Sequence, residues 1–299
     1  MSATLDYLPA DQSFLDPVRA DADRPASARA VVVPFGLEAS VSYGCGTGSG
    51  PAAILKASQQ LELYDEELGR EAYLDYGVAA VREPPIATPI EAALDQLEDL
   101  VGSIVEVGKF PLVLGGEHSV TVAAVRPLLA RYKDLVVVQF DAHADLRDGY
   151  LGERYSHAAA MRRVLDNPGV SLISVGVRAI SEAEIAFMES NRDRITIHWA
   201  KDQATWDAAN IAQGLSGRPV YITFDIDALD AAVMPATGTP TPGGLGYWQA
   251  LSILRTVSNC GKVVGADLVE FAPIAGLHAF DYTAAALAYK LLNYALSRR

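Results

Sequence analysis

Cysteine is nearly absent, with only Cys45 and Cys260 in a chain of 299 residues. They lie far apart and in no CxxC pattern, which excludes a disulfide framework or a cysteine zinc site and fits a reducing compartment. Basic residues are in the minority, 24 Lys and Arg against 37 Asp and Glu, for a formal net charge of −13. A nucleic-acid surface needs clustered Lys and Arg, so the balance argues against that class of partner. Long hydrophobic runs are missing. The apolar stretches are strand-sized, and no membrane span is expected. Residues 1–17 carry Asp6, Asp11 and Asp16 and no apolar core, unlike a secretory signal or a transit peptide, so the expected location is cytoplasmic. Internal repeats and low-complexity tracts are missing too.

What remains is ordinary globular composition, half hydrophobic and a fifth charged. Short apolar, β-branched runs recur at residues 30–35, 111–114, 135–140, 172–177, 220–224 and 263–269, with a weaker one at 195–199. Most are apolar on both faces, as the strands of a covered parallel sheet are. Helical stripes lie between them. In 90–107 the apolar positions Ala93, Leu94, Leu97, Leu100 and Val101 follow a 3.6-residue period, and 282–296 does the same. The alternation predicts an α/β fold with a central, mostly parallel sheet. Residues 1–29 read as an irregular segment and 30–299 as one domain. Within it, 42–51 reads as a Gly-rich loop and 234–246 as a Pro- and Gly-rich one.

The informative polar residues follow the strands directly. Asp141-Ala142-His143-Ala144-Asp145 follows the run at 135–140, and an extended chain would put Asp141, His143 and Asp145 on one side. Asp225-Ile226-Asp227 follows 220–224, and Gly115-Gly116-Glu117-His118 follows 111–114. In open α/β sheets ligands gather outside the carboxyl ends of the strands, so four Asp and two His converge on one edge. Four clustered carboxylates repel one another, and divalent cations remove the conflict. Carboxylate and imidazole without thiolate suit manganese or a similar metal better than structural zinc. Six side chains exceed the needs of one ion, whereas two ions sharing carboxylates fit the count and can hold an acidified water between them. A single strand-end Asp is more often a helix cap than a ligand; a His between two Asp is not explained by capping. His198, without an acidic neighbour, reads as structural. His278 falls in a loop, and Gly115-Gly116 suits a tight turn.

At these residues the sequence resembles the ureohydrolase family of arginases and agmatinases. The motifs are GGEHS (115–119), FDAHADLRD (140–148), YSHA (155–158), TFDIDALD (223–230), ATGTPTPGGL (236–245) and GADLVEFAP (265–273), and VSYGCGTGSGPAAILKAS (41–58) resembles the agmatinase branch. The resemblance implies a three-layer αβα fold and two Mn2+ ions per subunit. One ion would be held by His118, Asp141, Asp145 and Asp225, the other by His143, Asp141, Asp225 and Asp227. It also implies a proton-shuttling His157, a guanidinium-holding Glu270, a water-orienting Asp145, and assembly as a trimer or hexamer.

For the substrate, the loop 146–156 lacks the Asn- and Ser-rich stretch of arginases and contains Asp148 and Glu153, which would favour a distal cation on the substrate. The expected substrate is a small cationic guanidino compound, agmatine first. Aminopropylagmatine, guanidinobutyrate, arginine and guanidine are the alternatives, along with an inactive metal-binding relative.

Overall fold

The computed structural model describes residues 5–297. Ten strands form: β1 (Ala30–Phe35), β2 (Tyr64–Asp65), β3 (Arg70–Glu71), β4 (Val78–Ala80), β5 (Phe110–Gly115), β6 (Val136–Phe140), β7 (Ser171–Val177), β8 (Ile195–Trp199), β9 (Pro219–Asp225) and β10 (Lys262–Val269). Eight of them make one sheet in the order β4-β1-β5-β10-β9-β6-β7-β8, and every neighbouring pair is parallel. Strands β2 and β3 form a separate antiparallel hairpin.

Alternate residues of each strand enter two different cores. Val32, Leu112, Val138, Ile222 and Leu268 join one core with helices α1 (Gly50–Ser58), α6 (Ala208–Ile211), α7 (Tyr247–Cys260) and α8 (His278–Leu296). Val31, Val113, Val137, Tyr221 and Val269 join the other with α2 (Ile90–Glu106), α3 (Val120–Leu129), α4 (Ala160–Val164) and α5 (Glu182–Ser190). The result is three layers, helix, sheet and helix. Burial on both faces is why these strands read as continuous apolar runs rather than alternating ones. Helix α2 turns Ala93, Leu94, Leu97, Val101 and Ile104 inward, the stripe its sequence spacing implies.

The sequence reading needs one addition and one correction. The edge strand β4 was not foreseen, because its three residues, Val-Ala-Ala, are too few to show a period. His278 is not in a loop; it opens α8 and is exposed. The residues ahead of β1 hold no strand or α-helix among those described, but they pack: Phe14 and Leu15 are fully buried, and the Arg19 guanidinium donates to the Val78 carbonyl at 2.8 Å.

The hairpin is tied to α8 by charge. Asp65 accepts from the Leu68 N–H at 3.0 Å and from Asn293 Nδ2 at 2.8 Å, with Lys290 Nζ 3.2 Å away. Burial works against its charge, but these donors outweigh it and hold the carboxyl below the ordinary Asp value. A depressed pKa stabilises the fold above the unfolded-state value, about 3.9, and that contribution is lost as pH falls through the folded one. Asp65→Asn is therefore expected to lower the urea midpoint at pH 7, with the gap from wild type narrowing below about pH 4. A gap unchanged between pH 7 and pH 3 would contradict this.

Candidate metal centre and active site

Four adjacent strands, β5, β10, β9 and β6, end side by side and deliver the site. After β5 the chain runs Gly116-Glu117-His118 into α3. A Cβ on Gly116 would lie 2.0 Å from the Leu37 carbonyl oxygen, so that glycine permits the segment after β1 to press against this turn. Gly115 in turn leaves room for the side chains of Val120 and Val269, so close packing, rather than a left-handed turn, is the reason for the glycine pair. After β6 the chain stays extended long enough for His143 to bridge Ala179 beside β7, which keeps Asp141 and His143 on one side. Asp145 then adopts φ 52° and Glu270, after β10, φ 61°. Left-handed backbone at a non-glycine residue costs roughly 1–3 kcal/mol and concentrates at functional sites.

The six sequence-derived candidates converge. His118 Nδ1 lies 3.1 Å from Asp141 Oδ2, 3.0 Å from Asp145 Oδ2 and 3.4 Å from Asp225 Oδ2. His143 Nδ1 lies 3.0 Å from Asp227 Oδ2 and 3.6 Å from Asp141 Oδ1. Asp141 thus turns one oxygen to each group. Ligand atoms of His118, Asp141 and Asp145 fall within 4.8 Å of one another, as do those of Asp141, His143 and Asp227. Other donors reach these carboxylates: Gln139 Nε2 donates to Asp141 Oδ2 (2.7 Å), and the outer oxygens Asp227 Oδ1 and Asp225 Oδ1 accept the N–H groups of Ala142 (2.9 Å) and Asp227 (2.8 Å).

The electrostatics fit a cation site. Burial opposes charge on His118, but Asp141, Asp145 and Asp225 overcome it and hold its pKa well above the ordinary value. His143 is likewise pushed up to about 12, by Asp141 and Asp227 against its burial. Burial and the neighbouring carboxylates Asp227 and Asp141 push Asp225 well up. His118 Nδ1 is buried and lacks a well-formed hydrogen bond although three carboxylate oxygens surround it. One ring nitrogen offers one proton at most, so this donor set suits a divalent ion better than a proton.

Behind His118 runs a chain that sequence reasoning missed. His118 Nε2 is 2.8 Å from Thr223 Oγ1, Thr223 is 3.2 Å from Thr121 Oγ1, and Thr121 donates to Asp267 Oδ2 at 2.8 Å. Tyr221 OH also donates to Asp267, at 2.8 Å. A carboxylate at the far end sets the direction, so Nε2–H donates outward and Nδ1 is left bare. The signal was there: Thr223 and Asp267 are polar residues inside apolar strands.

Asp145, His143, Asp225, Asp227, His157 and Glu270 all line one cavity of about 490 Å³. Glu270 Oε1 accepts the His118 N–H at 2.6 Å; burial and Glu117 push its carboxyl up to about 8, partly offset by that N–H. A cationic group opposite it would reverse the shift. Asp148 and Glu153 are not brought to the cavity wall. Asp148 is exposed and bound to the buried Arg163 guanidinium at 2.7 Å, and Glu153 Oε1 accepts the Tyr155 N–H at 2.8 Å. The loop instead presents Arg147 and Tyr150, with Arg147 Nε 3.8 Å from Glu184. His198 is half-buried against Trp206, away from the site.

An all-parallel αβα sheet with this His/Asp cluster at its carboxyl edge is the architecture of a metallohydrolase. Residues 28–296 match the model of the Arginase family, and the chain belongs to that family. It is a ureohydrolase-type enzyme. It is 38% identical over 280 residues to N(1)-aminopropylagmatine ureohydrolase of Synechocystis, with 90% of each chain covered. It is 36% identical to the agmatinase of Bacillus subtilis, covering 85% of this chain and 87% of that one. The solved agmatine ureohydrolase of Thermoplasma volcanium superposes with a TM-score of 0.83 at 29% identity, covering 98% of this chain and 95% of that one.

Thr223→Val removes the acceptor that holds the His118 ring. Metal affinity is expected to fall roughly 10- to 100-fold, the usual effect of losing an outer partner of a ligating His. A calorimetric titration of Mn2+ into the metal-free protein checks it; affinity unchanged from wild type would contradict it.

Proposed function

We propose that the protein hydrolyses agmatine to putrescine and urea, with two Mn2+ ions as cofactor. The observation that carries the reading is the divided Asp141 carboxylate, one oxygen facing each His/Asp group, in a cavity that also holds Glu270 and His157. His118, Asp141, Asp145 and Asp225 would hold one ion, and His143, Asp141, Asp225 and Asp227 the other. When bound, the ions would offset the four carboxylates and supply a water acidic enough to ionise near neutral pH.

The chain's own residues do the rest. Glu270 pairs with the planar guanidinium through charge-assisted hydrogen bonds and aims its carbon at the water. Asp145 would accept a hydrogen from the attacking water and orient it, so that its oxygen bonds to that carbon. Breaking the bond between the central carbon and the substituted nitrogen requires a proton on that nitrogen, which His157 gives from the cavity wall. Urea and the amine are the products.

The names of the relatives support agmatine or its aminopropyl derivative. Arg147 on the cavity wall favours a second reading, a guanidine with an anionic tail such as 4-guanidinobutyrate. Putrescine formation would place the protein in polyamine synthesis, and a cytoplasmic place is proposed with it; among the described residues no helix is long and apolar enough to cross a membrane. Exposed Trp248, Leu277 and Tyr282 are compatible with a trimer or hexamer.

Urea release by Mn2+-loaded protein, assayed on agmatine, aminopropylagmatine, 4-guanidinobutyrate, arginine and guanidine, is expected to favour the first two. Dominant turnover of 4-guanidinobutyrate would transfer the assignment to the second reading. His143→Ala and Asp227→Ala should each lose turnover and retain about one ion, counted by elemental analysis; full activity in either would overturn the ligand assignment.

A further inference from the structure

Glu117 is fully buried beside the cavity, yet neither metal group includes it. Its carboxylate gathers four donors. Oε2 accepts the N–H groups of Ala39 and Ser40 at 2.5 and 2.6 Å, and Oε1 accepts the hydroxyls of Ser119 and Ser40 at 2.6 and 2.8 Å. Ser40 Oγ in turn lies 3.1 Å from His157 Nδ1 and accepts the His157 backbone N–H at 2.9 Å. Ser40 therefore stands between a buried carboxylate and the proposed proton donor.

We infer that Ser40 and Glu117 are positioning residues, a relay that fixes the ring orientation and the tautomer of His157. Hydrogen counting gives the direction. Ser40 has one hydroxyl hydrogen, and a carboxylate is a stronger acceptor than a neutral imidazole nitrogen. That hydrogen goes to Glu117 Oε1. Ser40 Oγ can then only accept from the ring; Ser156 Oγ, farther off at 3.4 Å, can accept from the same nitrogen, so Nδ1 carries a hydrogen in both charge states of His157. Nε2 is the nitrogen left to exchange a proton with the cavity. It delivers its proton to the departing nitrogen and recovers one from solvent, while Nδ1–H stays bound to Ser40 throughout. The logic matches a carboxylate that holds a catalytic imidazole in one tautomer, here with a hydroxyl interposed. The close approach at Gly116 serves the relay, because it seats the segment ending in Ser40 against Glu117.

This rests on the reading of His157 as the proton donor, and the test separates the two. Urea release is measured for Mn2+-loaded wild type, Ser40→Ala, Ser40→Thr, His157→Asn and the Ser40→Ala/His157→Asn double variant. Ser40→Ala is expected to lower kcat roughly 10- to 100-fold, a part of the 10²–10⁴ that a positioned proton donor supplies, with KM within about twofold of wild type. Ser40→Thr, which keeps the hydroxyl, should recover most of kcat. In the His157→Asn background the Ser40→Ala change should have no further effect, because the two act as one unit. An equal loss from Ser40→Ala with and without His157, or no loss at all, would overturn the relay while leaving the hydrolase reading intact. Unimpaired His157→Asn, or a wild type that releases no urea from any guanidine, would overturn the reading of His157 and the relay with it.

Discussion

Four buried carboxylates held beside one another are the constraint on which the rest of the structure depends. Two like charges 4 Å apart repel by about 4 kcal/mol even at an effective dielectric near 20. A few such pairs match the whole net stability of a domain, roughly 5–15 kcal/mol. Asp141, Asp145, Asp225 and Asp227 are all buried, and only two imidazoles stand among them. The backbone N–H groups of Ala142, His143 and Asp227 and the amide of Gln139 ease part of the repulsion. Two divalent cations would complete the balance, and the same charge that stabilised the cluster would activate water.

The fold makes such crowding possible. A parallel sheet ends all its strands at one edge, and the strand order places β5, β10, β9 and β6 together although they are far apart in sequence. The left-handed backbone at Asp145 and Glu270 is the residual strain of turning side chains back into the cavity. The surrounding packing, with the central strands buried on both faces, holds it.

Seven strands of the sheet and the six cluster residues were legible because each left a local signature. Double-faced burial produces unbroken apolar runs, and Asp-x-His-x-Asp after such a run has no purely structural explanation. What depended on direction was not legible. Asp148 and Glu153 supplied charges in the right loop, but their side chains serve Arg163 and the Tyr155 N–H rather than the cavity. The relay through Ser40 joins residues 117 positions apart, and no periodicity reports that distance. Glu117 was visible inside a motif yet carried no role until its four donors were in place. Asp267 and Thr223 lay between these extremes, since a polar residue inside an apolar strand is a local anomaly whose partner only the fold reveals.

On the proposed reading, the tail of the substrate meets the outer cavity, away from the Glu270 carboxylate. Arg147 shares its charge with Glu184 and stacks over Tyr150, so the outer cavity holds partly neutralised charges rather than one dominant carboxylate. The proposed chemistry at the guanidinium carbon has the pair of ions as its premise. The most direct test is anomalous diffraction at the manganese edge from crystals grown with Mn2+. Two peaks roughly 3.5–4 Å apart are expected, with Asp141 and Asp225 between them. A single peak, or none within reach of His118 and His143, would contradict it.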